Sequence, residues 1–419
     1  MRIKYSDIHR VILWAASFLM MGYVYVFSEI LITGNPRKVI VGIVSLFFLC
    51  IGFVGGKHNR AWKKSAQLKN YLLIFSICVV LEMIVSMTKY DYSVWSILVS
   101  AAPYCYIFLT IPIYNLFTVD GGTDKFLKSI VVMEIIILTM KAICWYTNSY
   151  TSLALFPNIL REYSGWSVGG NIRIEPGCMF GLTFVYCLVN YVTNRKKTYG
   201  VLTLGLFLFM ILITKFRFQL LAMLGVAFVI LYMNRTNDAR YAFLKRSFLV
   251  LLLVSVAVIY LPDIMASFSV DSARVNSTKT RLVEIAYFWQ LIKTKSAVIG
   301  LGIMEEGNAA VSSMLQYIGQ RMYIEDLGII GAFFSFGLLM VPIYGNLFAM
   351  SIKNITRCQT CSDYEKQMLT GIVTYMVLSC LALNIFDPQR AFAVPFYLAI
   401  ITYIRTRNTS DRMQEEPVR

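Results

Sequence analysis

Residues 11–32 read VILWAASFLMMGYVYVFSEILI, and most of the chain repeats the pattern they set. A run of this length matches the roughly 20 apolar residues that cross a bilayer as a helix. It exceeds the apolar region of a signal peptide, about 7–15 residues, and has no small-residue cleavage site. The segment is therefore expected to remain as a first transmembrane helix.

Similar runs recur along all 419 residues, of which 58% are hydrophobic and only 15% charged, with a mean hydropathy of +0.63. That is more apolar surface than a water-soluble core can enclose. The further expected spans are Val39–Phe53, Tyr71–Met87, Val94–Phe117, Ser129–Trp145, Cys178–Val192, Val201–Ile213 and Phe218–Met233. Phe248–Leu261, Leu327–Met350, Leu369–Leu383 and Ala391–Ile404 complete them. No polar run between them is long enough for a soluble domain. The chain reads as one all-α polytopic membrane domain, residues 1–419, with twelve transmembrane helices.

Orientation follows from charge, because cytoplasmic loops carry the excess of Lys and Arg. With the N-terminus inside, 24 of the 39 Lys and Arg fall on the cytoplasmic side. Both termini are thus expected in the cytoplasm. The other 15 lie at or near the outer face against 11 acidic residues, a net charge of about +4 that suits an anionic ligand. Binding of lipid phosphates by loop arginines is the competing reading.

Seven of nine cysteines lie within expected helices, where they act as small apolar residues, so disulfides are not expected. Cys358 and Cys361 form a CxxC, but a zinc site needs two more ligands, and the two histidines, His9 and His58, are remote in sequence. No metal and no cofactor are expected, nor any nucleic-acid partner.

Two outer loops, 146–177 and 262–326, are longer than a connection requires, and such loops carry function. In the second, Leu282, Ile285, Phe288, Trp289 and Ile292 recur at helical spacing, with Arg281, Glu284, Lys293 and Lys295 on other faces. This predicts an amphipathic helix on the outer membrane surface, either roofing a cavity or lying passively at the interface.

Charges near the outer ends of spans are the candidate functional residues, because charge at that depth normally faces a cavity or a partner. They are Arg173 and Glu175 before the sixth span, Lys215 and Arg217 in the tight turn after the seventh, and Arg390 before the twelfth. Arginine suits phosphate because its planar fork donates two hydrogen bonds to one group. For Lys215 and Arg217 the alternative is snorkelling to headgroups. Glu82, and Glu134 with Lys141 two turns later, sit inside apolar runs and read as structural polar contacts.

Four segments then occur in a telling order: GNIRIEPG (Gly170–Gly177), LITKFRFQLLAML (Leu212–Leu224), TRLVEIAYFWQLIKTKSAVIGLGI (Thr280–Ile303) and EDLGIIGAFFSFG (Glu325–Gly337). In this the chain resembles the Wzy-type O-antigen and exopolysaccharide polymerases, which are related to the O-antigen ligases. The resemblance implies a glycosyltransferase of the bacterial inner membrane that needs no metal or sugar nucleotide. Such an enzyme moves a growing glycan from undecaprenyl pyrophosphate onto a lipid-linked repeat unit at the outer face. Membrane lipids, a chain-length regulator and a flippase would be its partners.

Carried over to this sequence, the resemblance gives pyrophosphate binding to Arg173, Arg217, Arg281 and Arg390, and a base or arginine-holding role to Glu175 and Asp326. Tyr150, Trp166, Trp289 and Tyr323 would stack on sugars or anchor at the interface. The loop 262–326 contains no histidine, whereas the related ligases carry one, which argues against a ligase. A lipid-linked oligosaccharide flippase would show internal repeats, and none is found.

Overall fold

The computed structural model describes residues 5–27, 35–54, 62–63, 65–151, 153, 155–162, 167–168, 171–234, 250, 275–295, 298–317, 320–358, 361–381 and 383–415. These are overwhelmingly helical. The main elements are α1 (Tyr5–Met21), α2 (Asn35–Val54), α3 (Ala66–Tyr90), α4 (Val94–Cys105), α5 (Thr110–Asp120), α6 (Asp124–Tyr150) and α7 (Phe180–Asn194). After these come α8 (Lys197–Phe209), α9 (Arg217–Met233), α10 (Val275–Lys295), α11 (Gly328–Phe336), α12 (Asn346–Arg357), α13 (Asp363–Ser379) and α14 (Val394–Glu415). Two short antiparallel hairpins, Ser167–Val168 with Asn171–Ile172 and Gln316–Tyr317 with Gln320–Arg321, ornament the connections.

Four helical runs are long and apolar enough to cross a membrane: Asn35–Gly52, Ala66–Tyr90, Val94–Asp120 and Lys197–Thr214. A fifth appears if the bent pair Glu325–Leu339 and Val341–Arg357 is one span. On α3, the exposed Leu73, Ile77, Val80, Ile84 and Met87 form a stripe at three- and four-residue spacing. In water such a stripe would be a liability; against acyl chains it costs nothing. The opposite face of α3 contributes Leu68, Leu72, Phe75 and Val79 to a core that runs through most of the bundle.

Several expected boundaries move. The first helix ends at Met21, where Gly22 takes φ +89, short of the expected Ile32. The expected continuous span Leu327–Met350 is instead bent by 110°, with Gly337 at φ +54 and Pro342 just beyond it. Glycine supplies the left-handed backbone, and proline removes a helical donor, so the bend sits where sequence weakens the helix. The expected span Phe248–Leu261 lies outside the described residues, apart from position 250. Cys358 and Cys361 are joined as a disulfide across the end of α12, with Cα atoms 5.3 Å apart, contrary to the expectation of none. Their separation of three residues at a helix terminus brings the two sulfurs together without long-range closure.

Contacts sort to two ends of the bundle. At one end Arg10 pairs with Asp120 at 2.8 Å, Tyr186 donates to Asp124 at 2.6 Å, Thr193 to Gln367 at 3.1 Å, and Arg405 to Asn354 at 2.9 Å. At the other end Tyr90 donates to the carbonyl of Leu301 at 2.6 Å, Tyr92 to that of Ile303 at 2.7 Å, and Lys141 to that of Glu175 at 3.0 Å.

α10 forms as the spacing predicts, but its faces differ from the expected ones. Phe288 and Ile292 are buried against Leu301, Leu327 and Phe334, whereas Leu282 and Trp289 are exposed. Glu284 is buried on the inward face and accepts the backbone N–H of Tyr323 at 3.0 Å. The helix is therefore docked on α11 and the segment before it, and a carboxylate that periodicity set off the apolar face serves as its anchor.

Candidate functional site

The segment between the first hairpin and α7, residues 172–178, is extended and held from three sides. Trp145 Nε1 donates to the carbonyl of Ile172 at 3.1 Å, and Thr214 Oγ1 to that of Ile174 at 3.1 Å. Lys141 Nζ donates to the carbonyls of Glu175 and Pro176 at 3.0 and 3.1 Å. An irregular backbone inside an apolar bundle needs such partners for its carbonyls, since no water is available to satisfy them. Glu134, fully buried two turns before Lys141 on α6, supplies the opposing charge. It occupies the space that a side chain at residue 177 would fill: a Cβ on Gly177 would fall 2.5 Å from Glu134 Oε1. The two charges inside an apolar run, read from sequence as structural, thus act together to fix the course of this segment.

The product of that strapping is the position of Glu175. Glu175 shares with Arg390 the wall of a narrow cavity of about 20 Å³, with Gln219, Tyr375, Gln389 and Tyr397. That is room for a single water molecule. Burial pushes the Glu175 pKa up to about 7, with Lys141, Arg390 and Arg37 opposing the rise and Asp387 adding to it. A carboxyl that titrates near neutrality can both take and release a proton at physiological pH, which an ordinary surface glutamate does poorly. Asp387 is also raised by burial, against the Gln389 N–H, which it accepts at 2.8 Å, and Arg390.

Gln389 also belongs to the wall of a second, larger cavity of about 510 Å³, a space of ligand size. Glu325 and Asp387 interact side chain to side chain on that wall, with Lys38 beside both.

The residues singled out in the sequence divide into three groups. Glu175 and Arg390 come together. Arg281 and Asp326 lie together elsewhere: Arg281 sits over the ring of Phe218 at 5.5 Å, and its charge acts on Asp326 and on Glu284. Arg173 stands two residues before Glu175 in the strapped segment and lines neither cavity. Arg217 opens α9, between Phe216, which lines the narrow cavity, and Phe218, which carries Arg281. Among the described residues, no cluster of His, Cys, Asp and Glu is arranged to hold a metal ion.

Sequence reasoning missed Arg37 and Lys38. A signal was available, because two cations in the first turn of α2 oppose the helix dipole and call for compensating anions. The structure supplies them: Arg37 acts on Glu175, and Lys38 on Glu325 and Asp387. No protein-family model matches this chain, and no curated protein does.

Proposed function

We propose that this chain is a polysaccharide polymerase: a multi-pass protein of the bacterial inner membrane that transfers a growing glycan from undecaprenyl pyrophosphate onto a lipid-linked repeat unit at the outer face. The observation that carries the reading is the placement of Glu175: Lys141 straps its backbone, and it shares the wall of one narrow cavity with Arg390, where burial pushes its pKa up to about 7. The order of the four sequence segments adds to it.

In the reaction the acceptor hydroxyl attacks the anomeric carbon of the donor sugar, and its proton passes to Glu175. The bond from that carbon to the phosphate oxygen breaks, and pyrophosphate leaves with the electron pair. Arg390, with Arg37 behind Glu175, stabilises the leaving charge, since fixed guanidinium groups in a poorly hydrated cavity act far more strongly than in water. Arg217, Arg173 and Arg281 are the further contacts assigned to the carrier in this reading. Asp326 holds Arg281. The glycan ends, the carrier and lipids are the ligands of this protein, with a chain-length regulator and a flippase as its neighbours in assembly.

The topology that accompanies this reading has twelve spans and both termini in the cytoplasm. It is supported by the segregation of contacts, since residues 90–92, 175, 301 and 303 meet at one end and residues 10, 120, 193, 367 and 405 at the other. Reporter fusions after residues 10, 198 and 407 should report cytoplasm, and one in the connection at residues 91–93 should report the outer side. The opposite pattern would invert the site.

The functional test uses purified protein in lipid vesicles with the lipid-linked repeat unit of the producing organism. Wild type should build a ladder of products, while Glu175→Gln and Arg390→Ala should lose it at normal yield of folded protein. Polymer transferred whole to a different acceptor would make the chain a ligase. Movement of the lipid-linked unit across the vesicle without elongation would make it a flippase.

A further inference from the structure

The 510 Å³ cavity has walls from five parts of the chain, and they do not suit a phosphate. The N-terminus of α2 contributes Asn35 and Lys38, α4 contributes Ser100 and Tyr104, and the connection 303–307 contributes Glu305 and Glu306. Arg321, Glu325 and Ser335 come from the segments around α11, and Asn384, Phe386, Asp387 and Gln389 from the loop before α14. Four carboxylates face two cations, and Arg321 is already paired with Glu306. Lys38 then faces Glu305 and the Glu325–Asp387 pair, whose side-chain bond requires one shared proton, so two negative charges meet one cation among the described lining residues. An anion entering here meets net repulsion.

The remaining lining has a different character. Asn35, Ser100, Ser335, Asn384 and Gln389 add neutral donors and acceptors, and Tyr104 and Phe386, stacked on each other at 6.1 Å and 27°, add aromatic surface to the same wall. Carboxylates and amides accept from the closely spaced hydroxyls of a sugar, and an aromatic face packs on its C–H surface. Asp387 is 5% exposed with one oxygen committed to Gln389 N–H, which fixes the acidic edge of the space rather than leaving it a solvated charge. On α3, the fully buried Glu82 has neither carboxylate oxygen hydrogen-bonded among the described residues, and its field reaches Tyr104.

We infer that this cavity is a sugar-binding site selective for neutral or amino-bearing sugar residues over carboxylate-bearing ones. It rests on the polymerase reading only for its role, in which the site holds the acceptor end while Arg390 and its neighbours face the phosphates; the binding itself needs no turnover.

Three trisaccharides of equal length probe it by calorimetry on the full chain in detergent: maltotriose, the glucosamine trimer and the galacturonic acid trimer. The first two should bind, and the acidic trimer should bind weaker by a factor on the order of ten, the effect of a unit charge at this depth in an effective dielectric of about 20. Glu305→Gln, and the double variant Glu325→Gln with Asp387→Asn that removes the shared charge of the pair, should each narrow that discrimination, and Tyr104→Ala should weaken all binding while the elution profile of the protein is kept. Equal or tighter binding of the acidic trimer overturns the inference, as does binding of none of the three or indifference of the selectivity to both the Glu305 and the paired Glu325 and Asp387 changes. Selective binding by a protein that builds no polymer would sink the polymerase reading and leave the site standing. Polymer without selective binding would do the reverse.

Discussion

Replacing Lys141 by Met has two separable consequences. Lys141 is 3% exposed, and its ammonium serves the carbonyls of Glu175 and Pro176 while facing Glu134. Met keeps the length and most of the volume, so the packing of α6 survives and the change is electrostatic. Losing the ammonium strands two buried carbonyls, each worth about 1–3 kcal/mol, and removes the positive charge that opposes Glu134. Glu134→Gln added to Lys141→Met should recover a large part of the loss, because no buried charge is then left alone. Unfolding can be followed in detergent with a thiol-reactive dye, since Cys144, Cys178, Cys187 and Cys380 are free and buried in the native state. The midpoint should fall by several degrees in Lys141→Met and by less in the double variant. Strict additivity of the two single losses would refute the coupling. The second consequence concerns Glu175: Lys141 is the strongest charge holding its carboxyl down, so its removal sends that pKa above about 7. The pH at which polymerisation reaches half its plateau should move to the alkaline side, and an unmoved profile would mean that Lys141 acts on structure alone.

Glu175 makes a further signed prediction. Its folded pKa is raised from 4.5 to about 7, so the folded chain holds this proton more tightly than the unfolded one, and the burial penalty grows as pH rises between those values. Glu175→Gln should therefore leave the unfolding midpoint nearly unchanged at pH 4.5 and raise it at pH 8; equal shifts at both would contradict the assignment. Gly177→Ala brings a Cβ to 2.5 Å from Glu134 Oε1 at a φ of +137, and should cost about 1–3 kcal/mol in the same dye assay. Glu134→Ala should relieve the steric part of that loss. Arg390→Lys keeps the charge but loses the planar fork, so it should give a shortened product ladder, whereas Arg390→Ala gives none; full activity in the Lys variant would reduce Arg390 to a point charge.

Much of the architecture was legible because apolar runs of membrane-spanning length leave the backbone few choices in lipid. α3, and the run of α4 and α5, lie within a few residues of their expected limits for that reason. The long connection 262–326 declared its helix through periodicity, but periodicity placed Glu284 off the apolar face. It could not reveal that Tyr323, 39 residues later, supplies a backbone N–H to that carboxylate. The bend at Gly337 was similarly hidden, since hydropathy runs unbroken through it.

The charged outliers Glu175, Arg390, Glu134 and Lys141 were visible as residues too costly to place in an apolar run without purpose. Their partners were not. Glu175 is joined with Arg37, Arg390 and Asp387 across separations of more than a hundred residues, and Lys38 reaches Glu325 and Asp387 from still farther. Local sequence specifies helix, length and polarity, because those depend on backbone hydrogen bonding and transfer to lipid. Which charges share a cavity depends on how the helices pack, and that is settled by the fit of side chains from distant segments. The tertiary structure alone therefore separates the water-sized niche at Glu175 from the larger, acid-lined space beyond Gln389.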